Sequence, residues 1–153
     1  MKEIILTKGF VTVVDDEDFE WLTQRKWHAC IGNRGKVYAR SRNGGRTKIR
    51  MHQLIMNPPD GFCVDHIDGN TMNNQRSNLR ICTQAENGRN SRINKTHSTG
   101  FKGVYQAKSG RYIAHILSSG RLKHLGTFDT PEEAYEVWCM TAKELHGDFA
   151  RFK

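Results

Sequence analysis

Residues 63–87 read CVDHIDGNTMNNQRSNLRICTQAEN, the stretch of the chain richest in side chains able to do chemistry. Asp65 and His66 stand side by side where a short strand should end, so their side chains diverge. One can hold a divalent cation while the other faces a water. Aspartate is a hard oxygen ligand suited to magnesium. Histidine titrates near neutrality and can take a proton from a nucleophilic water. A metal beside a phosphate would neutralise the charge developing there and on a leaving 3′ oxygen. Asn70, Asn73, Asn74 and Asn78 crowd the loop that follows, where amide side chains can tie backbone groups together. Taken singly, each of these residues also fits a plain structural role, the asparagines as turn formers.

Other candidates surround this centre. Arg76 and Arg80 flank the loop and are placed to bind phosphate, or to be solvated arginines. His52 sits beside a short apolar run; it either packs there or contacts a phosphate near the scissile bond. His97 lies farther along, in a polar stretch. Arg40, Arg42, Arg46, Lys48 and Arg50 alternate along a predicted hairpin, so that even-numbered side chains share one strand face. Such a face is either protection of a sheet edge or a phosphate contact.

The whole chain agrees with a polyanionic partner. Its 153 residues include 24 Lys+Arg, 16 Asp+Glu and 7 His, a formal net charge of +8. Residues 1–39 carry 6 basic and 6 acidic side chains, residues 40–99 carry 10 and 4, and residues 100–153 carry 8 and 6. The middle third is thus the electropositive part, a field that favours nucleic acid. Only 37% of residues are hydrophobic, so one ordinary domain or two small ones are expected. No apolar run approaches the length of a membrane span, and Lys8 interrupts Ile4–Leu6 too early for a signal peptide. Cys30, Cys63, Cys82 and Cys139 form no CxxC pair. They read as reduced thiols of a cytoplasmic protein, with neither a disulfide framework nor structural zinc.

Elements that would position these residues follow from local patterns. Ile4–Leu6 and Phe10–Val14 are predicted strands about Lys8–Gly9, and Asp15–Asp18 should cap a helix carrying Phe19, Leu22 and Lys26. Val37–Ser41 and Thr47–Met51 are predicted strands joined through Asn43–Gly44–Gly45. Met51–Met56 is a short apolar stretch. Phe62–Val64 and Leu79–Cys82 are short strands, and Thr83 with Glu86 forms a capping box for a following helix. Residues 90–99 read as a linker. Beyond it, Val104–Ala107, Tyr112–Leu117 and Lys123–Phe128 predict a three-stranded antiparallel sheet. Thr130 caps a helix that opens with Pro131, on which Ala134, Trp138, Thr141, Ala142 and Leu145 recur at helical spacing, Ala134 and Trp138 as core, until Gly147 stops it.

The pattern DHxxGNxxxNxxxNLR, followed by a polar helix, resembles the HNH nuclease family in its phage and intron homing branch. RMHQLIMNPP at residues 50–59 and the DDEDFEWL segment at residues 15–22 also resemble sequences of that branch. The resemblance implies a ββα-metal fold around one divalent ion, magnesium or another such as manganese. By position, Asp65 and Asn87 resemble the metal ligands, His66 the general base, and Asn78 the asparagine that fixes the loop holding it. The best-known pattern ends in His where Asn87 stands, although this branch commonly carries Asn there.

GFKGVY at residues 100–105, RYIAHI at 111–116, LGTFDTPEEA at 125–134 and LHGDFARF at 145–152 resemble the plant APETALA/ethylene-response-factor DNA-binding domain. That family reads the major groove with the exposed face of its sheet. By position, Lys102, Tyr105, Ala107, His115, Leu117, Leu122 and His124 fall at DNA-facing places, with Lys108, Arg111, Arg121 and Lys123 as further contacts. Several of these positions are Arg, Glu or Trp in plant members, so the plant target sequence does not transfer.

The expectation is therefore an α+β protein of two modules. Residues 1–95 form an HNH nuclease module with its core at about 49–92, and residues 98–153 a DNA-binding domain of three antiparallel strands packed on one helix. It is expected to be a cytoplasmic, monomeric, phage-related enzyme of homing type that hydrolyses double-stranded DNA to 5′ phosphate and 3′ hydroxyl ends, with no membrane partner. The rival is a non-catalytic DNA-binding regulator, which would have no reason to keep both Asp65 and His66.

Overall fold

A computed structural model describes residues 1–32, 35–43, 47–90 and 98–152. The Gly44–Gly45 turn, Arg46, His97 and most of the predicted linker lie outside the described residues. The chain divides into two compact units, Met1–Asn87 and Gly88–Lys153.

In the first unit, β1 (Lys2–Ile5) and β2 (Val11–Val14) form an antiparallel hairpin, and α1 spans Asp16–Thr23. The acidic cluster does open α1, but Asp15 makes no side-chain cap. Its carboxylate accepts instead from Gln75 Nε2 (3.1 Å) and the Arg76 backbone N–H (2.7 Å), tying the helix start to a distant loop. α1 also ends before Lys26, because Trp27 turns back and donates its indole N–H to the Leu22 carbonyl at 2.8 Å.

A strand that local pattern did not announce, β3 (His28–Ile31), pairs with β4 (Val37–Asn43), which pairs in turn with β5 (Thr47–Arg50). Met51, expected as strand, begins α2 (Met51–Met56) and buries completely. β6 (Cys63–His66) and β7 (Leu79–Cys82) form a second hairpin, followed by α3 (Gln84–Arg89). Leu6, Val14, Leu22, Trp27, Met51, Val64 and Leu79 belong to one buried cluster, so the hairpins, α1 and α2 close over a shared core.

The second unit is a sheet of order β10-β9-β8, from β8 (Val104–Gln106), β9 (Tyr112–Ser118) and β10 (Arg121–Phe128), with α4 (Pro131–His146) packed on it. Thr130 caps α4 by accepting from the Glu133 N–H, and Gly147 ends it at positive φ. Val104 and Ala114 cluster with Ala134, and Ile116 with Trp138 and Ala142; Ala134 and Trp138 were the core residues expected of this helix. Leu145 is exposed, and Thr141 returns its hydroxyl to the Val137 carbonyl. Among the described residues, no helix is long and apolar enough to cross a membrane.

Candidate active site

The β6–β7 register sets Asp65 opposite Arg80 and Cys63 opposite Cys82. These four side chains share one face of the hairpin, and His66 points to the other. Arg80 donates to Asp65 Oδ2 from Nε (3.0 Å) and Nη2 (2.8 Å), both residues being largely buried. Cys63 Sγ lies 3.6 Å from Cys82 Sγ, and Asn87 Nδ2 approaches Cys63 Sγ at the same distance. Asn87 is carried there by α3, whose start is fixed by a reciprocal box. Thr83 N–H donates to Glu86 Oε2 at 2.8 Å, and Glu86 N–H to Thr83 Oγ1 at 3.3 Å.

Asp65 and Asn87 therefore bring a carboxylate and an amide to the same face. With the Asn87 NH₂ turned to sulfur, its carbonyl oxygen is the atom it can offer a cation. A carboxylate and an amide oxygen are the donor types that suit a hard divalent ion, one that takes few protein ligands and completes its shell with water and phosphate. Burial pushes the Cys82 thiol on the same face up to about 12. Among the described residues, no three His, Cys, Asp or Glu side chains cluster for metal binding.

On the opposite face, a chain of hydrogen bonds fixes His66. Thr12 Oγ1 donates its only proton to the Met72 carbonyl at 2.7 Å. It must then accept from Asn74 Nδ2, also at 2.7 Å. That orients Asn74 Oδ1 toward His66 Nε2 at 3.2 Å. An amide oxygen can only accept, so a neutral His66 carries its proton on Nε2 and its lone pair on Nδ1. Burial holds His66 below the usual imidazole range, against the hydrogen bond that its Nε2–H donates to Asn74. Asn74 is itself fully buried, and its backbone N–H donates to the Val13 carbonyl at 2.8 Å. The β1–β2 hairpin is thus part of the support of His66. Thr12 lies 62 residues from Asn74, and nothing local in the sequence announces the contact.

His52 packs under this imidazole. The two rings meet edge to face at 4.8 Å, and the Tyr38 ring lies 5.8 Å from that of His52. His52 is 4% exposed. Burial, reinforced by His66, Arg50 and Arg40, brings its pKa down to about 3, so it packs as a neutral ring.

The intervening loop is organised by Asp68 and Asn78. Asp68 accepts from the Asn70 N–H (2.7 Å), Asn78 Nδ2 (2.9 Å) and Asn73 Nδ2 (3.1 Å), while its own N–H donates to Asn78 Oδ1 (3.0 Å). Burial pushes the Asp68 carboxyl up, but the Asn70, Asn78 and Asn73 bonds outweigh it and hold it below the usual range. Asn78 does not touch His66 through any of these bonds; it closes the loop that begins there. Arg76 grips buried Asp18 with Nε and Nη2, both at 2.8 Å, and meets Glu17 at 2.9 Å. Arg76 and Arg80 are therefore both engaged with carboxylates of their own unit.

In the second unit, Tyr105, His115 and His124 share the sheet face away from α4, with exposed Leu117 and Leu122. His115 Nε2 and His124 Nδ1 are 3.1 Å apart. Arg121 and Lys123 pair with Ser118 and Ile116, which puts them on the helix side of the sheet, exposed at its margin. Arg111 is ion-paired with Asp129 at 2.9 Å, and Lys108 is exposed in a turn. Lys102 is drawn inward, donating to the Arg89 and Arg151 carbonyls at 2.6 and 3.4 Å. The predicted contacts thus divide among two faces, a turn and the interior.

The HNH endonuclease family profile matches residues 57–89, the segment that contains β6, the asparagine loop, β7 and α3. An uncharacterized HNH endonuclease, L560 of Acanthamoeba polyphaga mimivirus, is 31% identical over 149 residues, covering 94% of this chain and 74% of that protein. Protein 3.8 of Escherichia phage T7 is 31% identical over 120 residues, covering 77% of this chain and 98% of that protein. No solved structure matches significantly. The profile falls on the hairpin and helix that carry Asp65, His66 and Asn87, and the similarity to the viral relatives extends well beyond it, so this chain belongs to the HNH endonuclease family and is a nuclease.

Proposed function

We propose that the chain is a metal-dependent, homing-type endonuclease in which residues 1–95 cut DNA and residues 98–153 form a separate DNA-binding module similar to the plant APETALA/ethylene-response-factor domain. The observation that carries the catalytic part is the Thr12–Asn74–His66 chain, which leaves a buried imidazole with its lone pair on Nδ1 at the end of the strand holding Asp65.

His66 Nδ1 takes a proton from water as the water oxygen bonds to phosphorus. The P–O3′ bond breaks, leaving a 5′ phosphate, and the 3′ oxygen ends as a hydroxyl protonated from solvent. Asp65 and Asn87 would hold the divalent ion of a ββα-metal site, magnesium or manganese. When bound, that ion supplies positive charge against the charge developing on phosphate and 3′ oxygen. Asn78 holds the loop after His66 through Asp68, and His52 backs the imidazole. Arg80 neutralises Asp65 in the absence of a cation and is placed to turn toward phosphate once Asp65 is engaged. Tyr105, His115 and His124 form the centre of the second module's DNA face, with Lys108, Arg111, Arg121 and Lys123 at its margins.

Supercoiled-plasmid cleavage with and without magnesium, for wild type, His66→Ala and Asp65→Ala, tests the reading. Both variants should lose cleavage. Asp65→Ala should still bind DNA, since the charge removed is negative. Wild-type cleavage by either variant would remove that residue from its role.

A further inference from the structure

The sheet β3–β4–β5 turns one face to the core through Ala29, Ala39 and Ser41. Its other face carries His28, Arg40, Arg42, Lys48 and Arg50. Register sets like charges directly opposite each other, Arg40 against Arg50 and Arg42 against Lys48, with His28 on the other flank of Arg40. Such cross-strand pairs are destabilising by themselves. None of the four Arg and Lys side chains forms an ion pair among the described residues. Arg40 Nε is buried without a hydrogen-bond partner. A cleft of about 430 Å³ opens on this face between His28, Cys30, Arg40, Arg42 and Lys48.

Protection of a sheet edge accounts for Lys48 on β5, but not for Arg40 and Arg42, which lie on the central strand. A buried guanidinium N–H with no acceptor, facing cations that repel one another, is a site in want of an anion. The face also borders the nuclease centre. Arg50 lies over the Tyr38 ring at 5.5 Å, and Tyr38, His52 and His66 follow ring against ring.

We propose that the outer face of β3–β4–β5 binds the phosphates of one strand of the DNA substrate and leads that strand toward His66, with Arg40, Arg42, Lys48 and Arg50 as its contacts. The ligand class rests on the nuclease reading above; the site itself rests on the charge arrangement. Relief of the Arg40–Arg50 and Arg42–Lys48 repulsion by phosphate makes binding and stability pull in opposite directions at these positions.

The test uses the full chain and a fluorescent DNA duplex in EDTA, so that binding is read without cleavage. Anisotropy titrations across a salt series compare wild type with Arg42→Thr, Lys48→Thr and the double variant, threonine being a residue that strands favour. Each lost phosphate contact should lower the salt slope by about 0.9 and weaken binding up to roughly tenfold at ~0.1 M salt. Melting temperatures should hold or rise, because like charges have been separated. Arg42→Lys, which keeps the charge, should recover most of the binding. Unchanged affinity and slope in the double variant would overturn the proposal. So would a loss of affinity accompanied by a fallen melting temperature and not rescued by Arg42→Lys. A chain that binds in this way yet never cuts plasmid would sink the nuclease reading and leave the phosphate site standing. Cleavage alongside a double variant that binds like wild type would do the reverse.

Discussion

In the proposed mechanism His66 takes the proton from water, and its environment sets the pH at which it would do so. Only neutral imidazole accepts a proton, and burial holds His66 below the usual histidine value. Single-turnover cleavage should therefore rise with pH and level off below about 6.5, the ordinary imidazole range. A His66→Ala variant should lose ~10²–10⁴-fold in the saturated rate. A loss under about tenfold would assign the proton to another group. His52 makes a separate prediction about stability. Its folded pKa of about 3 lies below the 6.5 of the unfolded chain, so between these values the unfolded state binds the extra proton. The contribution is complete above 6.5 and is lost as pH falls toward 3, by at most roughly 1.4 kcal/mol per pH unit. Melting temperature measured against pH should decline through this window. The decline should be shallower in His52→Phe, which keeps a ring against His66 and has nothing to protonate.

At the scale of elements, the hairpin that carries Asp65 and His66 is held by structure that lies far from it in sequence. Thr12→Val keeps the shape of the side chain and removes the hydroxyl, which leaves Asn74 Nδ2 buried without its acceptor. The expected cost is ~1–3 kcal/mol of stability. The more informative measurement is the ¹⁵N spectrum of the His66 ring, which should show the proton on Nε2 in wild type and a mixture of tautomers in Asn74→Ala. An unchanged tautomer in Asn74→Ala would show that another group orients the ring. In the second unit, Gly103 sits at φ +75 where a Cβ would come within 2.1 Å of the Trp138 indole and 2.7 Å of the His115 carbonyl. Gly103→Ala should therefore unseat α4 from the sheet, with loss of near-ultraviolet signal from Trp138 and a lower melting temperature for that unit.

What was legible in the sequence follows the same division between local and distant. The Thr83–Glu86 box, the Thr130 cap with Pro131, the turns around β9 and the Asp65–His66 strand end are all written within a few residues, and the structure contains each of them. β3 was not read from the sequence: residues 28–31 lack clean alternation and become a strand because β4 offers them a partner, although the Gly32-Asn33-Arg34-Gly35 run that follows is a turn signal. The acidic run at residues 15–18 signalled a helix start, yet Asp15 and Asp18 spend their carboxylates on Gln75 and Arg76, about 60 residues away. Asn74 looked like its neighbours in an asparagine-rich loop. Only its burial and its hydrogen bonds to Thr12 and His66 separate it from Asn70 and Asn73.

For the whole molecule, the division into Met1–Asn87 and Gly88–Lys153 sets up a test of how labour is shared. The first unit contains its own core, the Asp65–Arg80 pair, the support of His66 and the basic face of β3–β4–β5. The second contains its own core and the Tyr105–His115–His124 face. A fragment ending near Lys95, which retains all of α3 and Asn87, is therefore expected to fold and to cut. If the second unit binds DNA as proposed, two contacts on one chain make the second effectively intramolecular, so avidity can exceed either affinity by roughly 10²–10⁴. Removal of the second unit should weaken apparent binding by a factor in that range and flatten the salt dependence, because fewer phosphates are neutralised. The saturated rate should change far less, since none of the groups assigned to proton transfer or cation binding has been removed. Single-turnover cleavage against DNA concentration, for the full chain and the fragment, separates the two effects. Equal affinity would mean that the second unit serves something other than the substrate. A collapsed rate in a well-folded fragment would mean that the two units complete a single site.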